Sequence, residues 1–212
     1  MTKGKIFEEK ELRELGMRTL DLLLSNIEKD DKKTAASLGT RMYAEFKAMH
    51  DLYRDWVTHL MTFIGEHFGD EVLHDAIKET VGSYTRQLGH RYADKDSKQK
   101  MRMLAAGLRG HLQPFEIREE EDKFVITARS CGSGGRLIKE GGYEPPRDFL
   151  TIRKPQSMTF DRPDFPVYCA HCYFQNISPA DESGGPLFVT EPGSRPGVDP
   201  CRIYVYKTKS AQ

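Results

Sequence analysis

Cysteine occurs at four positions in the 212-residue chain, Cys131, Cys169, Cys172 and Cys201, all in its C-terminal half. Two of them form Cys169-Ala170-His171-Cys172, the spacing that lets one turn present two thiolates to a single tetrahedral ion. Cys131 ends a predicted strand and Cys201 begins another, so both can approach that turn from sheet edges. Gly132, Gly134 and Gly135 suit a ligand turn, because glycine permits positive φ and lets backbone N–H groups point at a sulfur. The expectation is one metal site with zinc as its ion, His171 being the alternative to Cys201 as fourth ligand. Iron or an iron–sulfur cluster could use the same donors, without a better spacing argument. The competing reading is four unrelated buried cysteines, since free cysteine is among the most buried residue types. Zinc held by four thiolates is most often structural; a catalytic site leaves one position to water, with three sulfurs, or two plus His171, holding the ion.

A second concentration of polar groups lies in YAEFKAMHDLYRDWVTHL. Glu45 sits beside an apolar stripe, and Asp55 and His59 are four apart on one flank of a helix, where a carboxylate and an imidazole could face a pocket. Glu45 and His59 are the candidate proton carriers. His50, with Asp51, projects away from the stripe and needs another element or subunit to cover it. The competing reading is an ordinary solvated flank. Tyr143, Tyr168, Tyr173 and Phe174 could line an aromatic pocket near the metal, though such residues more often pack a core. CGSGGRL lacks the GxxxxGK[ST] spacing of a phosphate loop, and no GxSxG, HExxH, GxGxxG or EF-hand pattern occurs.

These groups need elements to position them. No proline precedes Pro114, and eleven prolines follow from there. Within 7–113 apolar residues recur three and four apart, which predicts about four helices: Glu8 to Glu28, Lys32 to Phe68, Asp70 to Tyr92 and Ser97 to Leu112. In the second, Met42, Phe46, Met49, Tyr53, Trp56, Leu60, Phe63 and Ile64 fall on one side at ~100° per residue, the expected core face. Within 114–207 the period becomes two. Phe115 and Ile117, then Phe124, Ile126 and Ala128, flank a charged turn as in an antiparallel hairpin. Asp148 to Arg153, Pro186 to Glu191 and Cys201 to Lys207 are further strands. Gly/Pro-rich loops, CGSGGRLIKEGGYEPPRD and EPGSRPGVDP, lie between them. The fold class is α+β: a single domain over 1–212, with the helical half packed on a small C-terminal antiparallel sheet.

Lys plus Arg equals Asp plus Glu at 32 each, so the chain carries no electrostatic footprint for nucleic acid or an anionic membrane. No stretch approaches the ~18 apolar residues of a membrane span, and the start has no apolar signal region. A cytoplasmic location follows, and in a reducing cytoplasm clustered cysteines point to metal rather than disulfides.

With helices first, then PFEIREEEDKFVI running into Cys131 and the later CAHC, the layout resembles the vinyl-reductase-like and L-2-amino-thiazoline-4-carboxylate hydrolase-like group over roughly Lys32 to Lys207. Cys131, Cys169 and Cys172 carry the comparison. The resemblance implies clustered cysteines for zinc, a helix-flanked pocket for small molecules and, from the hydrolase-like members, small heterocyclic or amide-like substrates. His171 inside the CxxC and the distant Cys201 depart from the zinc pattern, so neither the fourth ligand nor any catalytic residue carries over.

The expected function is a metal (zinc)-dependent hydrolase of a small organic, cyclic or aromatic molecule, with metal-activated water attacking an electrophilic carbon. Two alternatives stand beside it: a small-molecule-binding or sensing module with a purely structural zinc, or a subunit of a heteromeric enzyme, which exposed apolar surface on the long helix would favour. The partners expected are a small-molecule substrate or ligand and a homo- or hetero-oligomer.

Overall fold

A computed structural model of the chain describes residues 6–112, 114–128, 131–179 and 185–207. The fold is α+β: a long helical N-terminal region is followed by a small antiparallel sheet. By compactness the chain comprises two units, Met1–Leu52 and Tyr53–Gln212.

The first unit holds α1 (Glu9–Gly16), α2 (Thr19–Glu28) and the beginning of α3 (Lys32–Tyr92). The single helix expected from Glu8 to Glu28 is broken at Met17 and Arg18, whose extended backbones cap α1 and start α2. Within α3, Gly69 departs from helical geometry at φ 82, so the predicted boundary between Phe68 and Asp70 survives as a kink. Glycine tolerates that φ at no steric cost.

In the second unit, α4 (Ser97–Gly110) starts at a reciprocal cap. The Gln99 N–H donates to Asp96 Oδ1 at 2.7 Å and the Asp96 N–H donates to Gln99 Oε1 at 3.1 Å. The hairpin forms as expected from β1 (Glu116–Glu119) and β2 (Lys123–Ala128), with Ile117 opposite Ile126. A short helix, α5 (Gly134–Lys139), follows where the sequence suggests a loop; its Leu137 is fully buried, so tertiary packing overrides two poor helix formers, Gly134 and Gly135. Next come β3 (Thr151–Ile152), β4 (Phe165–Pro166), α6 (His171–Ile177), β5 (Val189–Glu191) and β6 (Cys201–Tyr206). The main sheet has the order β1-β2-β6-β5, all neighbours antiparallel, while β3 and β4 pair separately. The strand expected over Asp148 to Arg153 shrinks to two residues. Asp148 takes a φ of 45, and the Leu150 N–H donates to Thr62 Oγ1 at 3.1 Å instead of to a ladder.

Two cores organise this unit. In one, Tyr92, Met101, Leu104 and Ala105 pack on Ile126, Ile203 and Val205 of the sheet. In the other, Met61, Leu73 and Ile77 of α3 meet Ile152, Met158, Val167, Ala170 and Phe174. The face of α3 that enters this core is not the aromatic one expected from the sequence. Arg54, Thr58, Met61 and Thr62 are buried, whereas Met42, Phe46, Met49, Tyr53, Trp56, Leu60 and Phe63 are exposed; only Ile64 of the expected face touches a core. The buried face is set by close approach and polar contacts: a Cβ at Gly65 would overlap the Leu150 side chain, and Thr62 accepts a loop N–H. Among the described residues, no helix is long and apolar enough to cross a membrane.

Candidate metal centre

The CAHC segment lies where a 3₁₀ turn, Val167–Ala170, runs directly into α6. Val167, Ala170 and Phe174, three and four apart, are fully buried, which fixes the rotation of this short helical stretch. Cys169 and Cys172, three apart, therefore share a different face. The stretch is tied to the sheet by a paired contact: Asn176 Nδ2 donates to the Thr190 carbonyl at 2.7 Å, and the Thr190 N–H donates to Asn176 Oδ1 at 2.6 Å.

Cys201 opens β6 opposite Ala128 and alternates with the buried Ile203 and Val205, so its side chain shares their face. The Gly193 N–H bonds its sulfur, and Arg162 donates to the Gly193 and Pro192 carbonyls at 2.6 and 3.2 Å, fastening the preceding loop. That loop is closed further by Arg195, whose guanidinium grips Asp199 at 2.8 and 3.1 Å. Cys131 precedes α5; its carbonyl accepts the Arg136 N–H at 2.8 Å, and Arg136 Nε donates to the Gly132 carbonyl at 2.9 Å. Gly134 lets α5 lie against Cys169, because a Cβ there would stand 2.8 Å from Cys169 Sγ and 3.2 Å from Tyr168 Cδ1.

The consequence is that Cys131, Cys169, Cys172 and Cys201 all line one cavity of about 40 Å³, together with Gly134, His171 and Asp199. All four are unpaired thiols. The sulfurs share the cavity without converging: among the described residues, no group of three or more Cys, His, Asp or Glu side chains stands in metal-binding geometry. Each cysteine keeps part of its surface open, yet the protein packed around Cys169 and Cys172 strongly disfavours a bare thiolate. Burial pushes the Cys172 thiol up to about 12. Burial, then the neighbouring Cys172, Cys131 and Cys201, push Cys169 well above the usual thiol range. Cys201 is raised chiefly by burial, against which the Gly193 N–H and Arg162 act. His171 Nδ1 bonds the Tyr168 carbonyl, which with Nδ1 protonated leaves Nε2 as an acceptor 3.6 Å from Cys172 Sγ.

The other candidates have partners of their own. Glu45 and His50 belong to the first unit. The Glu45 carboxylate accepts from Thr19 Oγ1 at 2.6 Å and Arg41 Nε at 2.8 Å, and these two bonds hold it below the usual carboxylate range. His50 Nδ1 lies 3.2 Å from Asp51 Oδ1, and Asp51 also accepts from Lys47 at 2.6 Å. His59 is exposed, with its ring packed edge to face against Phe149 at 4.6 Å. Asp55 pairs with Arg54 at 2.7 Å and Arg147 at 3.3 Å. His59, in the same unit as the cysteine cavity, does not line it. Tyr143, Tyr173 and Phe174 pack into the core around Met158, and Tyr168 stacks edge-on against His171 at 5.0 Å; none of the four lines the cavity. Sequence reasoning did not single out Arg162, Thr190 or Asp199. For Thr190 and Asp199 the only signal was position, in or beside the Gly/Pro-rich loop that leads into Cys201; Arg162 carried none.

No family model, curated protein or solved structure matches the chain in any of the three comparisons.

Proposed function

We propose that Cys131, Cys169, Cys172 and Cys201 bind one zinc ion that serves as a structural clamp, fastening the α5 segment and the CAHC helix to the start of β6. The observation that carries this is the shared cavity: four thiols from three separate stretches of chain open onto one space. Its volume, about 40 Å³, suits a single ion rather than an iron–sulfur cluster. Thiolates are the donors zinc takes in closed tetrahedral sites, at about 2.3 Å. Reaching that distance requires each thiol to rotate about its Cα–Cβ bond and to lose its proton, so affinity falls as pH falls. His171, 3.6 Å from Cys172, is the fallback ligand should one cysteine stay outside the set.

A zinc-dependent hydrolase needs an open coordination position and room for its substrate, and small-molecule pockets measure roughly 300–1,000 Å³. The cysteine cavity has no such room, and His59, a proton carrier expected from the sequence, does not line it. The structural role therefore has the better support. Vinyl-reductase-like layout remains a likeness of cysteine order, in which zinc likewise has no assigned chemistry here.

Metal content of the purified chain, measured by plasma mass spectrometry alongside the four single Cys→Ser variants, tests the proposal. One zinc per chain is expected, with loss of metal and a lowered urea midpoint in Cys169→Ser and Cys172→Ser. Chelation should lower the urea midpoint of the protein while leaving a folded, less stable chain. A chain that takes up no added zinc overturns the metal site; a stripped chain whose urea midpoint is unchanged, and which loses a hydrolytic activity and regains it with zinc, overturns the structural role.

A further inference from the structure

The first unit lacks a core. Among its described residues Thr19 is the only buried one, while Leu20, Leu24, Ile27, Met42, Phe46 and Met49 are each 38–57 % exposed. Its helices α2 and α3 are joined by three residues, Lys29–Asp31, which makes them antiparallel neighbours, and Thr19 on one donates to Glu45 on the other. Isolated helices of this length are marginal in water unless an apolar face is covered.

The two exposed stripes emerge on the same side of this hairpin. From Thr19, Leu20, Leu24 and Ile27 lie ~80–140° round α2 in the forward sense; from Glu45, Met42, Phe46 and Met49 lie ~40–100° round α3 in the forward sense. Antiparallel helices wind in opposite senses when seen from one end, so equal forward rotations from the shared contact open onto one face. Spacings of four and three within both stripes are those of a bundle seam, and no charged residue interrupts either. In sequence the same alternation continues through Tyr53, Trp56, Leu60 and Phe63, each exposed within the second unit.

We infer that residues 17–52 form half of a four-helix bundle and that a second copy of this chain supplies the other half. A hairpin with an uninterrupted apolar face lacks two helices, and an identical hairpin related by a twofold axis offers both, with the same uncharged surface on each side. The area suffices. Six apolar side chains within 17–52, each about half exposed, present on the order of 600 Å² per copy, against the ~450 Å² of apolar area in the ~800 Å² that each partner gives to a standard stable interface.

Light scattering coupled to size exclusion, on the full chain at 1–50 µM, tests this. A mass twice the 24.3 kDa chain is expected. Phe46→Glu and Leu24→Glu place charge on the seam and should shift the dimer–monomer equilibrium at least 100-fold toward monomer, while Tyr43→Glu, off the seam, should not. Dimers that persist in both seam variants overturn the assignment. So does a wild-type monomer, whether the variants fold or not; if that monomer co-sediments with mixed phosphatidylcholine and phosphatidylglycerol vesicles and Phe46→Glu does not, the face docks on a membrane instead.

Discussion

Replacing Gly134 by alanine probes the metal centre without touching a ligand. The new methyl group would stand 2.8 Å from Cys169 Sγ and 3.2 Å from a ring carbon of Tyr168, both inside van der Waals contact. In the metal-free chain the thiol can swing away about one bond, and alanine's helix preference over glycine, up to ~1 kcal/mol, offsets part of the strain. The stripped variant should therefore unfold within about 1 kcal/mol of wild type. Once Cys169 holds an ion, its sulfur has nowhere to go, and overpacking of this kind costs ~1–3 kcal/mol. That difference appears as zinc affinity weakened by roughly 5–150-fold, since 1.4 kcal/mol is a factor of ten. Competition against a chromophoric zinc chelator reads the affinity, and urea unfolding of the stripped protein supplies the other leg of the cycle. Equal zinc affinity in variant and wild type would refute the placement of Cys169 on the ion.

Three further outcomes follow. The stripped protein should lose stability as pH rises between about 9 and 12: the Cys172 thiol goes from 9.0 unfolded to about 12 folded, so in that window only the folded state keeps the proton, and each such thiol contributes a slope of ~1.4 kcal/mol per pH unit. Zinc-loaded protein, whose thiols are already deprotonated, should be flat there and fail on acidification instead; identical alkaline unfolding curves for the two forms would contradict a thiolate site. Gly107→Ala, within α4 and with nothing inside 4 Å of the added carbon, should stabilise by ~0.5–1 kcal/mol in urea unfolding, and a loss would mean the helix packs differently. Arg54→Ala removes a side chain only 2 % exposed that joins Asp55 and Glu140, and should cost about 2–3 kcal/mol because water can reach the two carboxylates left behind. The exposed Arg153–Asp164 pair is the control, and Arg153→Ala should leave the urea midpoint unchanged.

Much of the architecture is legible locally. Strict alternation about the charged turn specifies the β1–β2 hairpin, and Asp96 with Gln99 marks where α4 starts. Gly69 marks a break in the long helix because no other residue takes its φ as cheaply. The three-residue spacing in CAHC places Cys169 and Cys172 on one helical face whatever surrounds them. Helical periodicity in α3 was equally plain, but it could not say which of two faces finds a partner. The aromatic stripe had the stronger apolar signal, yet Thr58, Met61 and Thr62 took the core, because Gly65 and Thr62 allow the Leu150 loop to come close and bond.

The sequence by itself determined a helical region followed by a β-rich one, the cysteine pair at one turn and the even balance of charge. These depend on contacts a few residues apart. Only the tertiary structure decided that Cys131 and Cys201 open onto the same cavity as that pair, since this rests on the register of β2 with β6, on α5 resting against Cys169 across Gly134, and on Asn176 bonding Thr190. It also decided that His59 stays off that cavity and that a strongly apolar face is left to solvent. Burial is a property of what comes to lie opposite a residue, and spacing along the chain specifies only the side from which it can come.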